Sequence, residues 1–247
     1  MTAIAGPDIG NLDTMPELPE LHAPKAARIL AAAAELLVSR GFKGVTMSEV
    51  AQRAYVGKGT VYLYWATKED LLLGLIGREF LAFADYLVEQ LTADPQLARP
   101  SRFCRTVLRF SADRPLMAAL HDHDDGLLGV LAQDPRSYEL YDALGPVAVL
   151  HSVLPAWRRA ALARSDWPLA EQALAMHIVT AGAATVLTQP QTTSAGPDIL
   201  EIYTATVTEV LGPEQGSADQ VGDAAREIIG SLTEKRAFAL RLISSHD

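Results

Sequence analysis

The stretch from Val45 to Lys68 constrains this chain most, because its caps and breakers dictate where helices begin and end. Thr46 followed by Glu49 is a capping box: the hydroxyl takes the amide three residues on, the carboxylate returns to the cap's own N–H, and a helix opens. Val50, Ala51 and Ala54 give that helix an apolar side at helical spacing. The chain turns around Gly57. Lys58-Gly59-Thr60-Val61-Tyr62-Leu63-Tyr64 then makes a second helix of about two turns at roughly 3.6 residues per turn. Thr67 with Asp70 repeats the capping pattern and opens a third. Two short helices joined by a turn of roughly 3–4 residues are a helix-turn-helix, and the stretch is expected to read DNA.

The flanking sequence predicts an all-α chain. Pro24 stands in the first turn of a preceding helix, where its missing N–H costs nothing, and Gly41 stops that helix. Ile29, Leu30, Ala33, Leu36 and Leu37 form its apolar stripe. With Phe42, Val45, Val50, Val61, Tyr62 and Trp65 they can fill the core of a three-helix head. From Lys68 the pattern stays helical to about Thr92. Leu72, Leu75, Ile76, Phe80, Phe83, Leu87 and Leu91 point inward, giving a linking helix roughly 35 Å long at ~1.5 Å per residue. Asp94-Pro95 ends it. Helical candidates follow at 101–112, 115–121, 134–163, 167–188, 197–211 and 218–243, with a kink or break expected at Pro146 and Pro155. Residues 189–196 read as a loop, and no alternating strand pattern of useful length occurs.

The chain has 247 residues, 49% of them hydrophobic, enough for a large core and one or two domains. Its net charge of −9 is unevenly placed. Residues 24–70 carry seven bases and four acids, residues 1–23 four acids and no base, and residues 71–247 fourteen bases and twenty-two acids. The helix-turn-helix therefore lies in the only positive segment, and local charge is what phosphate binding requires. The division is a disordered arm over 1–23, a DNA-binding domain over 24–70, and a helical effector and dimerisation domain over 71–247. No apolar run reaches the ~18 residues of a membrane span. The arm has neither the positive charge of a secretory signal nor that of a transit peptide. A single cysteine, Cys104, fits a reducing cytoplasm.

Over about residues 25–75 the chain resembles the TetR family of transcriptional regulators. The resemblance rests on Ser39-Arg40-Gly41-Phe42, on Thr46 opening the second helix, on Val56-Gly57-Lys58-Gly59-Thr60-Val61-Tyr62, and on Lys68-Glu69-Asp70-Leu71-Leu72. It implies a homodimer whose two heads bind two half-sites of a palindromic operator and block transcription. A small molecule in the C-terminal domain would swing the linking helix and release the DNA. Carried over by position, Lys58, Thr60 and Leu63 would touch base edges in the major groove, and Gly59 would allow close approach. Thr46, Ser48, Tyr62, Tyr64 and Lys68 would contact phosphates. The chemistry agrees: Lys58 can donate to guanine O6 or N7, and the Tyr62 hydroxyl and Lys68 ammonium suit phosphate oxygens. Three positions depart from the family's pattern. Tyr55 stands where glycine is usual, at a turn position that calls for left-handed backbone. Gly57 replaces a Ser or Thr cap, and Trp65 replaces Phe.

Phe110, Met117, His121, Tyr138, Tyr141, His151, Trp157 and His177 are the candidate lining of an effector pocket, since a drug-sized ligand needs apolar walls and a few polar anchors. Each alone also reads as ordinary core, His177 most of all. Ala181-Gly182-Ala183-Ala184 permits close packing of helices, and by family analogy 167–188 and 197–211 form the dimer. His121-Asp122-His123-Asp124-Asp125 is the most metal-like run, but neighbours one or two apart on a helix do not converge on one ion. No metal or cofactor is implied. The reading is a ligand-responsive, cytoplasmic transcriptional regulator, a dimeric repressor and not an enzyme. Its rivals are a metal-dependent helical hydrolase using that His-Asp run, and a family member that activates or has no effector.

Overall fold

The computed structural model describes residues 18–41, 43–114, 116, 136, 139, 140, 145–188 and 197–244. Among them the regular structure is all helical. In chain order the helices are α1 (Pro19–His22), α2 (Pro24–Arg40), α3 (Met47–Arg53), α4 (Lys58–Tyr64), α5 (Lys68–Ala93), α6 (Pro100–Ala112), α7 (Pro146–Arg159), α8 (Leu169–Thr188), α9 (Ile199–Leu211) and α10 (Ala218–Ser244). A 3₁₀ turn, Pro95–Ala98, joins α5 to α6.

The expected starts hold where a local cap specifies them. Pro24 sits in the first turn of α2, and Thr67 and Asp70 cap α5 reciprocally; α9, expected from 197, opens at Ile199, where the Asp198 carboxylate takes the Leu200 and Glu201 amides. The run read as 134–163 is shorter in its described part. At Pro146 the expected break is there, since Pro146 is the first residue of α7 after an extended Gly145, whereas Pro155 lies inside α7 without ending it. A proline there withholds one helical N–H, and packing of the surrounding residues carries the helix past it. The candidate at 115–121 and the 189–196 loop lie outside the described residues, Leu116 apart.

Two apolar clusters organise the molecule. The first holds α2, α3, α4 and the start of α5, with Ile29, Val50, Val61 and Trp65 at its centre. The second is the larger body of α6 to α10 with the far half of α5, around Leu87, Leu91, Phe103, Leu108, Leu154, Trp157 and Met176. α5 belongs to both: Leu71 to Leu81 face the head, and Phe83, Leu87 and Leu91 face the body.

Other body segments also complete the head. Leu116, Leu140, Ala239 and Ile243 are buried in the head cluster. α10 runs along α5, and a methyl on Gly77 would collide with Ile243. The last residues of the stretch read as a disordered arm are tied down as well. Leu18 packs on the head, and α1 presents Glu20 to Arg78 of α5, where the guanidinium grips both carboxylate oxygens and donates to the Gly74 carbonyl at 2.8 Å. That pair is only about 15–17% exposed. α5 is gripped three times more, by Arg136 on Asp70, Arg114 on Glu79 and Arg236 on Asp85.

Candidate nucleic-acid interface

Building upward from α3, Thr46 is extended and its hydroxyl accepts the Glu49 amide at 3.3 Å. Glu49 Oε2 accepts the Thr46 amide at 3.0 Å and its hydroxyl at 2.8 Å. Met47, Val50 and Ala51 turn inward, while Ser48 faces solvent. The helix closes in a Schellman turn: Val56 N–H reaches the Ala51 carbonyl at 3.0 Å and Tyr55 N–H the Gln52 carbonyl at 3.2 Å. Tyr55 sits at φ 55°, the left-handed conformation that its place in the turn implied, with its side chain 91% exposed.

The turn delivers the chain to α4. Gly57 caps it from an extended conformation with no side-chain bond, so the cap is made by backbone alone, with Thr60 N–H on the Gly57 carbonyl at 2.9 Å. Of the seven residues in α4 only Val61 is buried. Trp65, just past its end, is core, as its ring size predicts. Lys58, Gly59, Tyr62 and Leu63 face water, with Leu63 78% exposed, and Thr60 and Tyr64 are half-buried. Nothing lies within 4 Å of where a Gly59 side chain would stand. The Lys58 ammonium hovers 5.7 Å from the Tyr62 ring centroid, which holds two of the candidate contacts side by side.

A second row borders this face. Lys68, one residue beyond the Thr67 cap, is half-buried, and that burial lowers its pKa against the pull of Glu69 and Glu49. Arg40, at the end of α2, donates from Nη1 to Glu49 Oε1 at 2.9 Å. Hydrogen bonds from the Thr46 hydroxyl and amide, more than the charge of Arg40, hold the Glu49 carboxyl below its ordinary value. The structure thus brings Thr46, Ser48 and Lys68 to an edge that also contains Arg40 and Glu49. In the sequence Glu49 reads only as a cap and Arg40 only as part of Ser39-Arg40-Gly41-Phe42. Their separation of nine residues across a helix end leaves no periodic signal.

The candidate effector residues lie apart. Phe110 is half-buried, stacked on Tyr86 with centroids 4.9 Å apart and tilted on Phe83, and the Arg114 guanidinium sits 4.5 Å from its centroid. Trp157 is wholly buried, edge-on to Phe103, with its indole N–H donated to the Ala98 carbonyl at 2.7 Å. His151 is exposed, and His177 is half-exposed rather than deep in the core. Met117, His121, Tyr138, Tyr141 and the whole His121–Asp125 run lie outside the described residues. Among the described residues no three His, Cys, Asp or Glu side chains gather as metal ligands, and no helix is long and apolar enough to cross a membrane.

Residues 29–75 match the sequence model of the family described as bacterial regulatory proteins, tetR family. The fatty acid metabolism regulator protein of Bacillus subtilis (strain 168) is 34% identical over 79 residues, which are 30% of this chain and 41% of that protein. The HTH-type transcriptional repressor NemR of Escherichia coli (strain K12) is 27% identical over 129 residues, 51% of this chain and 65% of that protein. Aligned residues therefore span less than two thirds of either relative. Among solved structures, the fatty acid degradation regulator FadR from Bacillus halodurans superposes with a TM-score of 0.58 at 17% identity, over 79% of this chain and 98% of that one. At such identity the likeness is one of fold. Both sequence relatives are named as regulators, one of fatty acid metabolism and one of transcription.

Proposed function

We propose, from the premise that this chain belongs to the TetR family of bacterial regulatory proteins, that it is a dimeric cytoplasmic repressor released from a palindromic operator by a small molecule. The observation that carries the DNA-binding part is α4. A seven-residue helix that buries only Val61 and leaves Lys58, Gly59, Tyr62 and Leu63 open is poorly explained as packing and well explained as a surface made for a groove. In this reading Lys58, Thr60 and Leu63 meet base edges. Thr46, Ser48, Tyr62, Tyr64 and Lys68 meet phosphates, and residues 24–70 and 71–247 are the DNA-binding and effector domains.

The dimer is supported by α8. Leu174, Ile178, Gly182 and Val186 recur every four residues along one stripe, and all four are exposed, as is Ile202 on α9. Ala181-Gly182-Ala183-Ala184 lets a second copy approach closely. Burying such a stripe against its symmetry mate makes an isologous contact. In this reading Phe110 and the other candidate residues line the effector site, and the likeness to a fatty acid metabolism regulator, 34% identical over 79 residues, makes acyl ligands the first to try.

The test is selection of bound duplexes from a random pool. A palindrome with half-sites about one turn apart or a multiple, ~34–36 Å per turn, is expected. Lys58→Ala should cost about 1–3 kcal/mol on that duplex and relax its base preference. Ile178→Asp should yield folded monomer by sedimentation. A non-palindromic site, or Lys58→Ala binding like the parent, overturns the reading. A reporter driven by the selected site separates repression from activation.

A further inference from the structure

We propose that Glu49 is a stand-in for a DNA phosphate: in the free head it holds Arg40 at the binding edge, and on DNA Arg40 turns to the backbone while the Glu49 charge limits affinity. This rests on the DNA-binding reading above and adds to it a phosphate contact and a brake.

Glu49 divides its two oxygens. Oε2 is spent on Thr46, closing the helix cap, and Oε1 takes Arg40. The cap needs an acceptor but no charge, since glutamine serves the same position in capping boxes. The charge therefore has its effect elsewhere, on Arg40, which it pairs directly, and on Lys68, whose ammonium feels its field. Nor does the Arg40 pair matter much for stability. Its side chains are 52% and 38% exposed, and ion pairs in that setting contribute little.

Arg40 also keeps donors free. Only Nη1 is engaged with Glu49, whereas Arg53 commits Nε and Nη2 to Glu35 and Arg78 commits three nitrogens. A guanidinium fork with free donors is what a phosphate oxygen accepts from. Its position is fixed by the turn that follows: a side chain on Gly44 would run into the Arg40 carbonyl at 2.6 Å, so the chain folds back tightly and keeps Arg40 beside the start of α3. An acid placed where phosphates must come repels them, so it costs affinity as it organises the bases.

The test uses the full chain and a duplex selected by it, with binding followed from about 50 to 200 mM salt, where the slope counts neutralised phosphates. Glu49→Gln keeps the cap and should bind several-fold tighter with a steeper slope. Arg40→Ala should bind more weakly and flatten the slope by about 0.9 per head. Arg40→Lys, which keeps the charge, should keep most of the slope. Arg40→Ala added to Glu49→Gln should cancel the gain. Melting curves confirm that each variant is folded. Unchanged or weaker binding by folded Glu49→Gln, or an unchanged slope for Arg40→Ala, overturns the proposal while Lys58→Ala still loses binding. If Lys58→Ala also binds like the parent, the DNA-binding reading itself has failed and takes this inference with it.

Discussion

Head and body use their basic residues in opposite ways. In the body they are internal ties. Arg99 donates to the Glu214 and Gly216 carbonyls, Arg158 to Gln172 and the Trp167 carbonyl, Arg105 to Glu201, and Arg236 to Asp85. Among the described residues, Arg109 alone of the body's bases has no such tie, while in the head Lys25, Arg28, Lys43 and Lys58 all lack an acidic partner. The chain is acidic overall, yet positive charge that an outside anion can meet is concentrated at one end. The body in turn exposes apolar side chains on α8 and α9, where the head exposes them on α4. In the proposed reading the exposed leucine of α4, beside Lys58, meets a DNA groove, and the exposed stripe of α8 meets another copy of the chain.

The largest expected effect sharpens that contrast in stability. Trp157 is fully enclosed, packed edge-on against Phe103 and hydrogen-bonded to Ala98, so Trp157→Ala should cost about 3–5 kcal/mol in urea unfolding. Leu63 is an apolar residue of the head with 78% of its surface in water, and Leu63→Ala should fall within about 0.5 kcal/mol. If Leu63→Ala destabilises like a core truncation, α4 is packing surface and the comparison breaks.

A smaller effect tests where the two regions are tied together. Burial pushes the Asp70 carboxyl up, but hydrogen bonds from Thr67 and Arg136 and the Arg136 charge outweigh it, so its pKa lies below the ordinary 3.8. A depressed carboxyl contributes stability above its unfolded pKa and loses it as pH falls through the folded one. Arg136→Ala should therefore be less stable than the parent at neutral pH, by up to about 1 kcal/mol for so exposed a pair. The gap should shrink as pH drops below 3.8. A gap that stays constant into acid would mean that Arg136 acts through packing and not through Asp70.

What could be read from the sequence was local. Thr46 with Glu49 and Thr67 with Asp70 announce their helices because cap and partner lie three residues apart, and α5 and α10 announce themselves by periodicity. The ties that place the head on the body join residues far apart in sequence: Glu20 to Arg78, Arg136 to Asp70, Ile243 over Gly77. No window of sequence contains both partners, so α1 reads as arm and α10 as body alone. The exposed face of α4, the candidate interface, was legible for the same reason that the ties were not. Lys58 to Tyr64 is one short helix whose inward residue, Val61, fixes which side chains face out, whereas Arg40 joins that edge only through a turn.

The smallest expected effect concerns the turn that aims α4. Among the described residues two that are not glycine, Tyr55 and Ala161, adopt φ 55°, and each closes a helix by a Schellman pair. At Ala161 the pair is Leu162 N–H to Trp157 and Ala161 N–H to Arg158, and the Ala161 carbonyl also accepts the Gln215 amide at 3.0 Å. A left-handed residue with a Cβ costs roughly 1–2 kcal/mol, and glycine returns part of any gain through its freer unfolded chain. Tyr55→Gly and Ala161→Gly should each stabilise the protein by about 0.5–1 kcal/mol, read as a shift of the urea midpoint at constant m. The comparison lies in whether the two shifts agree. With its ring 91% exposed, Tyr55 has little packing to lose, so equal shifts make it a strained residue that the Schellman bonds hold in place. A gain at Ala161 with none at Tyr55 would mean that the exposed ring stabilises the turn through a contact worth as much as the strain. Arg53, which pairs chiefly with Glu35 but also interacts electrostatically with Tyr55, would then be the residue to truncate next.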